Sequence, residues 1–213
     1  MNLIRKISQN RLKAVSLLAV VGDVFMALSG AEGLVLRQGG TEGMLASTYS
    51  LILASGSLAL WGHLMLAFWG KGARDERITV TTPRKEPPIL AKPFFPWRYP
   101  LDSALFVWLL AGTSYTLSGW VGGDLALLLM GAAHVCACLI GWLYPKDKSF
   151  MGLGGMQMTA ILYLLSTVCT YWAAWTLQSW LIFAAACAYC ACNLILYTMN
   201  KHNQSSFTQT HEA

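Results

Sequence analysis

The sequence predicts an all-α integral membrane protein: a bundle of six transmembrane helices with the N and C termini cytoplasmic. Three observations predict it. Hydrophobic residues make up 55% of the 213 and charged residues only 12%, about half the charged share of a typical soluble domain. The apolar residues gather in six long segments, and a bilayer core needs about 20 helical residues to cross. Finally, Lys and Arg cluster at the segment ends that share one side, as the positive-inside rule requires.

Residues 1–13 form a basic head with Arg5, Lys6, Arg11 and Lys13. Ala14 to Leu36 is the first apolar segment. A signal peptide would share the basic start and the apolar stretch, but Asp23 sits in the middle of that stretch and argues for a retained helix. Arg37 to Gly43 is a glycine-rich turn, and Met44 to Trp69 closes the first hairpin, residues 14–69. Residues 70–100 are a basic loop holding six of the seven prolines. A four-helix region, residues 101–199, follows. Its segments are Leu101 to Val121, Leu125 to Tyr144, Met151 to Leu177 and Trp180 to Met199. Gly122-Gly123-Asp124, Pro145-Lys146-Asp147-Lys148 and Gln178-Ser179 are the short turns between them. Residues 200–213 read as a polar tail without apolar periodicity, expected to be disordered.

Helices are predicted rather than strands because the segments are apolar all round. A membrane barrel would show segments of about ten residues in strict alternation. No proline lies inside any segment, so the helices are expected to be unbroken. With both termini inside, fourteen Lys and Arg face the cytoplasm and only Arg37 faces out. Trp69, Trp120, Trp142, Trp172, Trp175 and Trp180 lie near segment ends, where aromatic side chains anchor at the headgroups. The three inward exits resemble one another (Trp69-Gly70-Lys71, Tyr144-Pro145-Lys146, Met199-Asn200-Lys201), which the membrane interface explains without an internal repeat.

Polar groups at bilayer depth are the functional candidates, because a charge there is costly. Asp23 lies near the middle of the first segment and His134 near the middle of the fourth. Counted from the segment ends they have similar depth, so the two are expected to pair or to relay a proton. His63 lies about two turns from the inner end of the second segment. Glu32 sits near the outer end of the first segment, within reach of the headgroups. Asp102 and Asp124 look like helix caps. The plainer account of Asp23 and His134 is interhelical hydrogen bonding.

A metal site is a further expectation. His134 and Cys138 are four apart, Cys187 and Cys190 three apart, and each pair shares a helix face. If the fourth and sixth helices touch, one imidazole and three thiols meet, a set suited to copper or zinc. Close packing of small residues is the plainer account of these cysteines. The spacing of Cys187 and Cys190 also matches a thiol-oxidoreductase motif, but no outer turn carries a redox cysteine. Haem between His63 and His134 requires matched depth, and the two differ by about one turn. No nucleotide-binding or hydrolase motif is present. The default expectation is therefore no cofactor and no enzymatic activity.

In the basic loop, Arg84, Lys85, Lys92 and Arg98 are the expected contacts with anionic lipid or with a cytoplasmic partner. Nucleic acid is not an expected partner, because the basic residues form no compact face. Three functions remain, in this order. The first is a non-catalytic accessory or scaffold component of a membrane assembly, joined to other subunits. The second is a small transporter or channel using Asp23 and His134. The third is a metal or haem redox protein. A bacterial inner membrane is the expected setting.

Overall fold

A backbone amide in an apolar surround must be bonded within its own segment or its own sheet. Among the described residues the chain meets the requirement with six helices. A computed structural model describes residues 2–36, 44–69, 100–143, 149–150 and 153–211, with side chains described over 15–36, 47–65, 104–141 and 157–195. The helices are α1 (Asn2–Leu36), α2 (Met44–Trp69), α3 (Pro100–Gly122), α4 (Leu125–Leu143), α5 (Gly155–Thr176) and α6 (Trp180–His211). The fold is thus all-helical except for one small antiparallel ladder. In it β1 (Ser149–Phe150) pairs with β2 (Leu153–Gly154), with Ser149 opposite Gly154.

Three boundaries differ from the sequence reading. α1 runs through the basic head from Asn2. That head contains Leu, Arg, Lys and Gln and no Gly or Pro, so a helix nucleated further on propagates back through it. The fifth helix starts at Gly155, not Met151. Gly152, Gly154 and Gly155 cluster there, and glycine weakens a helix. At the other end, α6 continues to His211 through the tail expected to lack structure. The basic loop, with Arg84, Lys85, Lys92 and Arg98, lies outside the described residues.

Each helix packs on the next, and α6 packs back on α1, so the six close into a ring. The outward faces are apolar. Leu17, Val21, Val24, Leu28 and Val35 make one exposed stripe on α1, and Ile161, Leu164, Leu165, Val168, Trp172 and Trp175 make another on α5. Exposed apolar surface of this extent marks a face that meets something other than water. Val15–Leu36, Ala104–Gly122 and Gln157–Thr176 are each long and apolar enough to cross a membrane. Leu125–Gly141 and Trp180–Ile195 are apolar but shorter within the described residues. These features make the chain a membrane protein in its surface chemistry.

The interior holds polar groups among its apolar core. Asp23, Ser29, Thr48, Ser55, Ser118, Ser166, Thr167 and Thr170 are all buried. Ser55, Thr167 and Thr170 return their hydroxyls to the carbonyl four residues back. Others tie helices together. Ser118 donates to the Thr48 carbonyl, Ser166 to the Met130 carbonyl, and Asn193 to the Thr167 hydroxyl. Such bonds contribute about 0.6 kcal/mol each between membrane helices.

Small residues set the distances. A Cβ on Gly30 would strike the backbone of Leu53, and one on Gly56 would meet the backbone of Ala27. α3 and α4 repeat the arrangement, with Gly119 against Leu128 and Gly131 against Thr116. These contacts also fix the register of the two hairpins.

Two tight turns lie at one end of the ring, called the turn end below. α3 stops at Gly123, whose φ of 65° is left-handed. Asp124 N–H then bonds the Gly119 carbonyl, and Gly123 N–H bonds that of Trp120, the pattern that satisfies the last carbonyls of a helix. Asp124 starts α4 by accepting from Leu127 N–H at 3.0 Å, so its expected role as a cap holds. α5 ends the same way on Gln178, with φ 49°, and Ser179 caps α6 through Ile182 N–H. Trp175 and Trp180 flank this turn at 83% and 84% exposure, the signature of a headgroup anchor.

The glycine contacts generate a stability prediction. Gly30→Val forces α1 off α2 and is expected to destabilise the bundle by about 1–3 kcal/mol, the usual cost of overpacking. Unfolding by SDS titration in mixed micelles measures it. The same change at Gly123 is expected to act through backbone strain alone, because a Cβ there meets nothing within 4 Å.

Candidate functional site

Two residues that water would normally surround meet inside the ring. Asp23, on α1, is 1% exposed. His63, on α2, brings Nδ1 to 2.6 Å from its Oδ2. This is a short hydrogen bond between an imidazole and a carboxyl group. Tyr189 on α6 donates its hydroxyl to the other carboxylate oxygen at 2.7 Å. Three helices therefore converge on one carboxylate, and both its oxygens are satisfied.

Local sequence builds this geometry. Gly22 precedes Asp23, and a Cβ on it would collide with the Tyr189 ring. Its absence lets the phenol lie against α1 with its hydroxyl on the neighbouring carboxylate. Gly62 precedes His63 and does the same for Trp108 of α3. The Trp108 ring packs on His63 with centroids 4.5 Å apart, and its Nε1–H donates to the Ala59 carbonyl at 3.3 Å. Cys192 lies nearby on α6 and donates to the Val15 carbonyl.

Two further buried polar atoms lie within the ring. Tyr115, on α3, is 4% exposed, and its hydroxyl finds no hydrogen-bond partner among the described residues. It packs in one cluster with Met26 of α1, three residues along from Asp23. His134, on α4, also leaves its buried Nε2 without a partner. Its ring meets the edge of Tyr163 with centroids 5.4 Å apart, and it lies against Gly112 of α3.

The expected pairing is therefore corrected. Asp23 bonds His63, not His134. Depth was counted from segment ends, but Gly30 packs level with Leu53 and Gly56 with Ala27. The end of α1 thus lies level with the second turn region of α2 rather than with its first residue, which carries His63 toward Asp23. Glu32 is exposed near the end of α1.

The four-ligand metal expectation also fails on geometry. α5 stands between α4 and α6 in the ring. Cys138 faces Tyr163 of α5 with Sγ 3.7 Å from the hydroxyl, and Cys187 receives a bond from Tyr171 of α5 at 3.5 Å. Cys190 is half-buried beside it. Among the described residues no three of His, Cys, Asp and Glu converge on a point that would hold a metal ion. A haem between His63 and His134 has no support either, since His63 is held by Asp23 on one side and Trp108 on the other.

A recess of about 330 Å³ opens at the turn end. Tyr49, Asp124, Trp172 and Thr176 are among its walls. Thr176 donates to Asp124 at 2.6 Å there. Tyr49 and Tyr115 belong to one packed cluster with Met26 and Ile52, so the recess adjoins the core that contains the Asp23 site.

Sequence reasoning missed Tyr189, Tyr115 and Trp108. A signal for two of them exists, because each member of the Asp23–His63 pair directly follows a glycine, in Gly22-Asp23 and Gly62-His63. Such a glycine marks where another group approaches the backbone. Comparison with protein-family models, with curated proteins and with solved structures finds no match.

Removing one partner of a buried pair leaves the other uncompensated. His63→Ala is expected to destabilise the bundle by about 3–5 kcal/mol. Tyr189→Phe deletes one bond and is expected to cost about 0.5–2 kcal/mol. SDS-titration unfolding of both variants in one mixed-micelle system tests the ranking, and equal effects would contradict it.

Proposed function

We propose that the protein is a small proton-coupled transporter. It holds a proton at the Asp23–His63 pair and uses its gain and loss to move a solute across the membrane. One observation carries this reading: a carboxyl group buried in an apolar helical bundle, hydrogen-bonded at 2.6 Å to an imidazole from the next helix. Ionisable residues inside membrane segments mark ion pathways and proton relays. An imidazole is the side chain whose charge changes near neutral pH. A purely structural contact does not need a titratable pair, because serine and threonine already join helices elsewhere in this ring.

All six helices cross the membrane in this reading. The turn end faces out, and the termini and the basic loop lie in the cytoplasm. Support comes from the fourteen Lys and Arg that this places inside against one outside. It also comes from the exposed tryptophans at the turn end. The charge pattern fits an inner membrane, with Arg84, Lys85, Lys92 and Arg98 meeting anionic lipid. In this arrangement the recess beside Asp124 is the outer approach to the core.

Two experiments test the proposal. In a cysteine-free background, a membrane-impermeant thiol reagent is expected to label a cysteine placed at Gln178 from outside and one placed at Lys146 only after lysis. In proteoliposomes with an internal pH dye and a mixed pool of small solutes, an imposed gradient is expected to drive solute-dependent proton flux. Asp23→Asn is expected to reduce that flux about a hundredfold or more, the scale on which a positioned acid–base group accelerates proton transfer. Undiminished flux would remove Asp23 from the mechanism. No flux in the native protein would return the chain to the role of an accessory or scaffold subunit.

A further inference from the structure

The Asp23–His63 pair does not use every buried polar group around it. Tyr115 and His134 each bury a hydrogen-bonding atom that no protein group satisfies. A buried unpaired hydroxyl or ring nitrogen costs about 1–3 kcal/mol, so two of them in one region need a physical account. Both residues belong to one constellation. Trp108, Gly112 and Tyr115 recur at helical spacing along α3 and so share a face. Trp108 packs on His63, and Gly112 lies against His134. Tyr115 packs in one cluster with Met26 of α1, and Tyr189, which bonds Asp23, packs against that cluster. One face of α3 thus touches both imidazoles and approaches the carboxylate.

The register of the ring agrees. Gly112 packs against Val135 and Gly131 against Thr116, so Tyr115 and His134 stand at nearly the same height on neighbouring helices. Side chains lean toward the N-terminal end of their helix. α3 and α4 are antiparallel, and the two side chains therefore lean toward each other along the axis. Met130 and Leu127 bury the ring of Tyr115 on one side, and Tyr163 closes His134 on another. Titratable groups on the helices around these two atoms include Asp23 from α1, His63 from α2, Tyr189 and Cys192 from α6, Tyr163 from α5, and Cys138 from α4 itself.

We infer that the space between the Tyr115 hydroxyl and His134 Nε2 is a water-binding site, and that His134 is a second proton station linked through it to the Asp23–His63 pair. The inference deepens the transporter reading and rests on it for its role, though the water site itself does not. Water suits the two atoms. It donates to a ring nitrogen and exchanges donor and acceptor roles with a phenol, and a buried water typically makes about three such bonds. The proton transfer balances. Water at Tyr115 accepts a proton from the pair and gives one of its own to His134 Nε2. The imidazole becomes imidazolium, the pair is left one proton poorer, and the water is unchanged. His134 is a positioning and relay group here, and Asp23 keeps the role assigned above.

The test uses the full-length protein in lipid bilayers with nitrogen-15 in its histidines. Water-edited solid-state NMR reads which ring nitrogens receive polarisation from bound water. A transfer to His134 Nε2 is expected, and Tyr115→Phe, which keeps the ring and its packing, is expected to abolish it. Proton flux is measured in the same samples, and both Tyr115→Phe and His134→Gln are expected to lower it about tenfold or more. Absence of the transfer, or its persistence unchanged in Tyr115→Phe, overturns the water site. If Asp23→Asn stops flux while Tyr115→Phe and His134→Gln leave it normal, the relay is wrong and the transporter reading stands. If no variant or native protein carries flux but the water transfer is present and lost in Tyr115→Phe, the water site stands and the transporter reading falls.

Discussion

A carboxylate cannot stand alone in a medium that does not solvate it. Placing an aspartate at the centre of a membrane helix costs about 2.5–3.5 kcal/mol by insertion measurements, and far more in a rigid low-dielectric surround. Asp23 is buried to 1% exposure, and the ring is arranged to meet that constraint. Two helices contribute partners to its two oxygens, His63 from α2 and Tyr189 from α6. Each partner needs α1 or a neighbour to yield space. Gly22 yields it to the tyrosine, and Gly62 to the tryptophan that holds the histidine. The contacts that seem to be mere close packing are what bring three separate stretches of chain within hydrogen-bond distance of one group.

The remaining polarity of the interior follows a different rule. Three buried hydroxyls, on Ser55, Thr167 and Thr170, bond a carbonyl of their own helix four residues back, which hides polarity without demanding a partner helix. Three others, on Ser29, Ser118 and Ser166, cross between helices. These bonds hold the ring closed while leaving its outer face apolar. The bundle is therefore sorted by environment, with aliphatic and aromatic stripes outward and titratable groups inward. Because the titratable groups are few, each has a distinct place. One pair is satisfied, and two atoms beside it, on Tyr115 and His134, are not.

Much of this was legible in the chain. Apolar run lengths located all six helices, and the glycine and serine at the turns located both tight connections. Asp23, His63 and His134 stood out because ionisable groups in apolar runs are rare. The partnership was not legible. Depth counted from segment ends assumes that hairpin helices begin level, whereas the Gly30 and Gly56 contacts offset α2 against α1 by most of a turn. Helix adjacency was equally hidden. Spacing placed His134 with Cys138 and Cys187 with Cys190 on shared faces, but the ring order interposes α5. Tyr189 and Trp108 looked like ordinary aromatic filling, since their roles depend on glycines in other helices.

The most direct test is whether Asp23 changes its protonation when a proton gradient is applied. Infrared difference spectroscopy on membranes, with isotope-labelled aspartate, reads the carboxyl stretch as the gradient is reversed, and Asp23→Asn assigns the band. The account predicts a carboxyl band that appears and disappears with the gradient and is missing in the variant, with a matching imidazole change lost in His63→Gln. A carboxyl group whose spectrum stays the same under either gradient would contradict it. Asp23 and His63 would then be a fixed brace between α1 and α2.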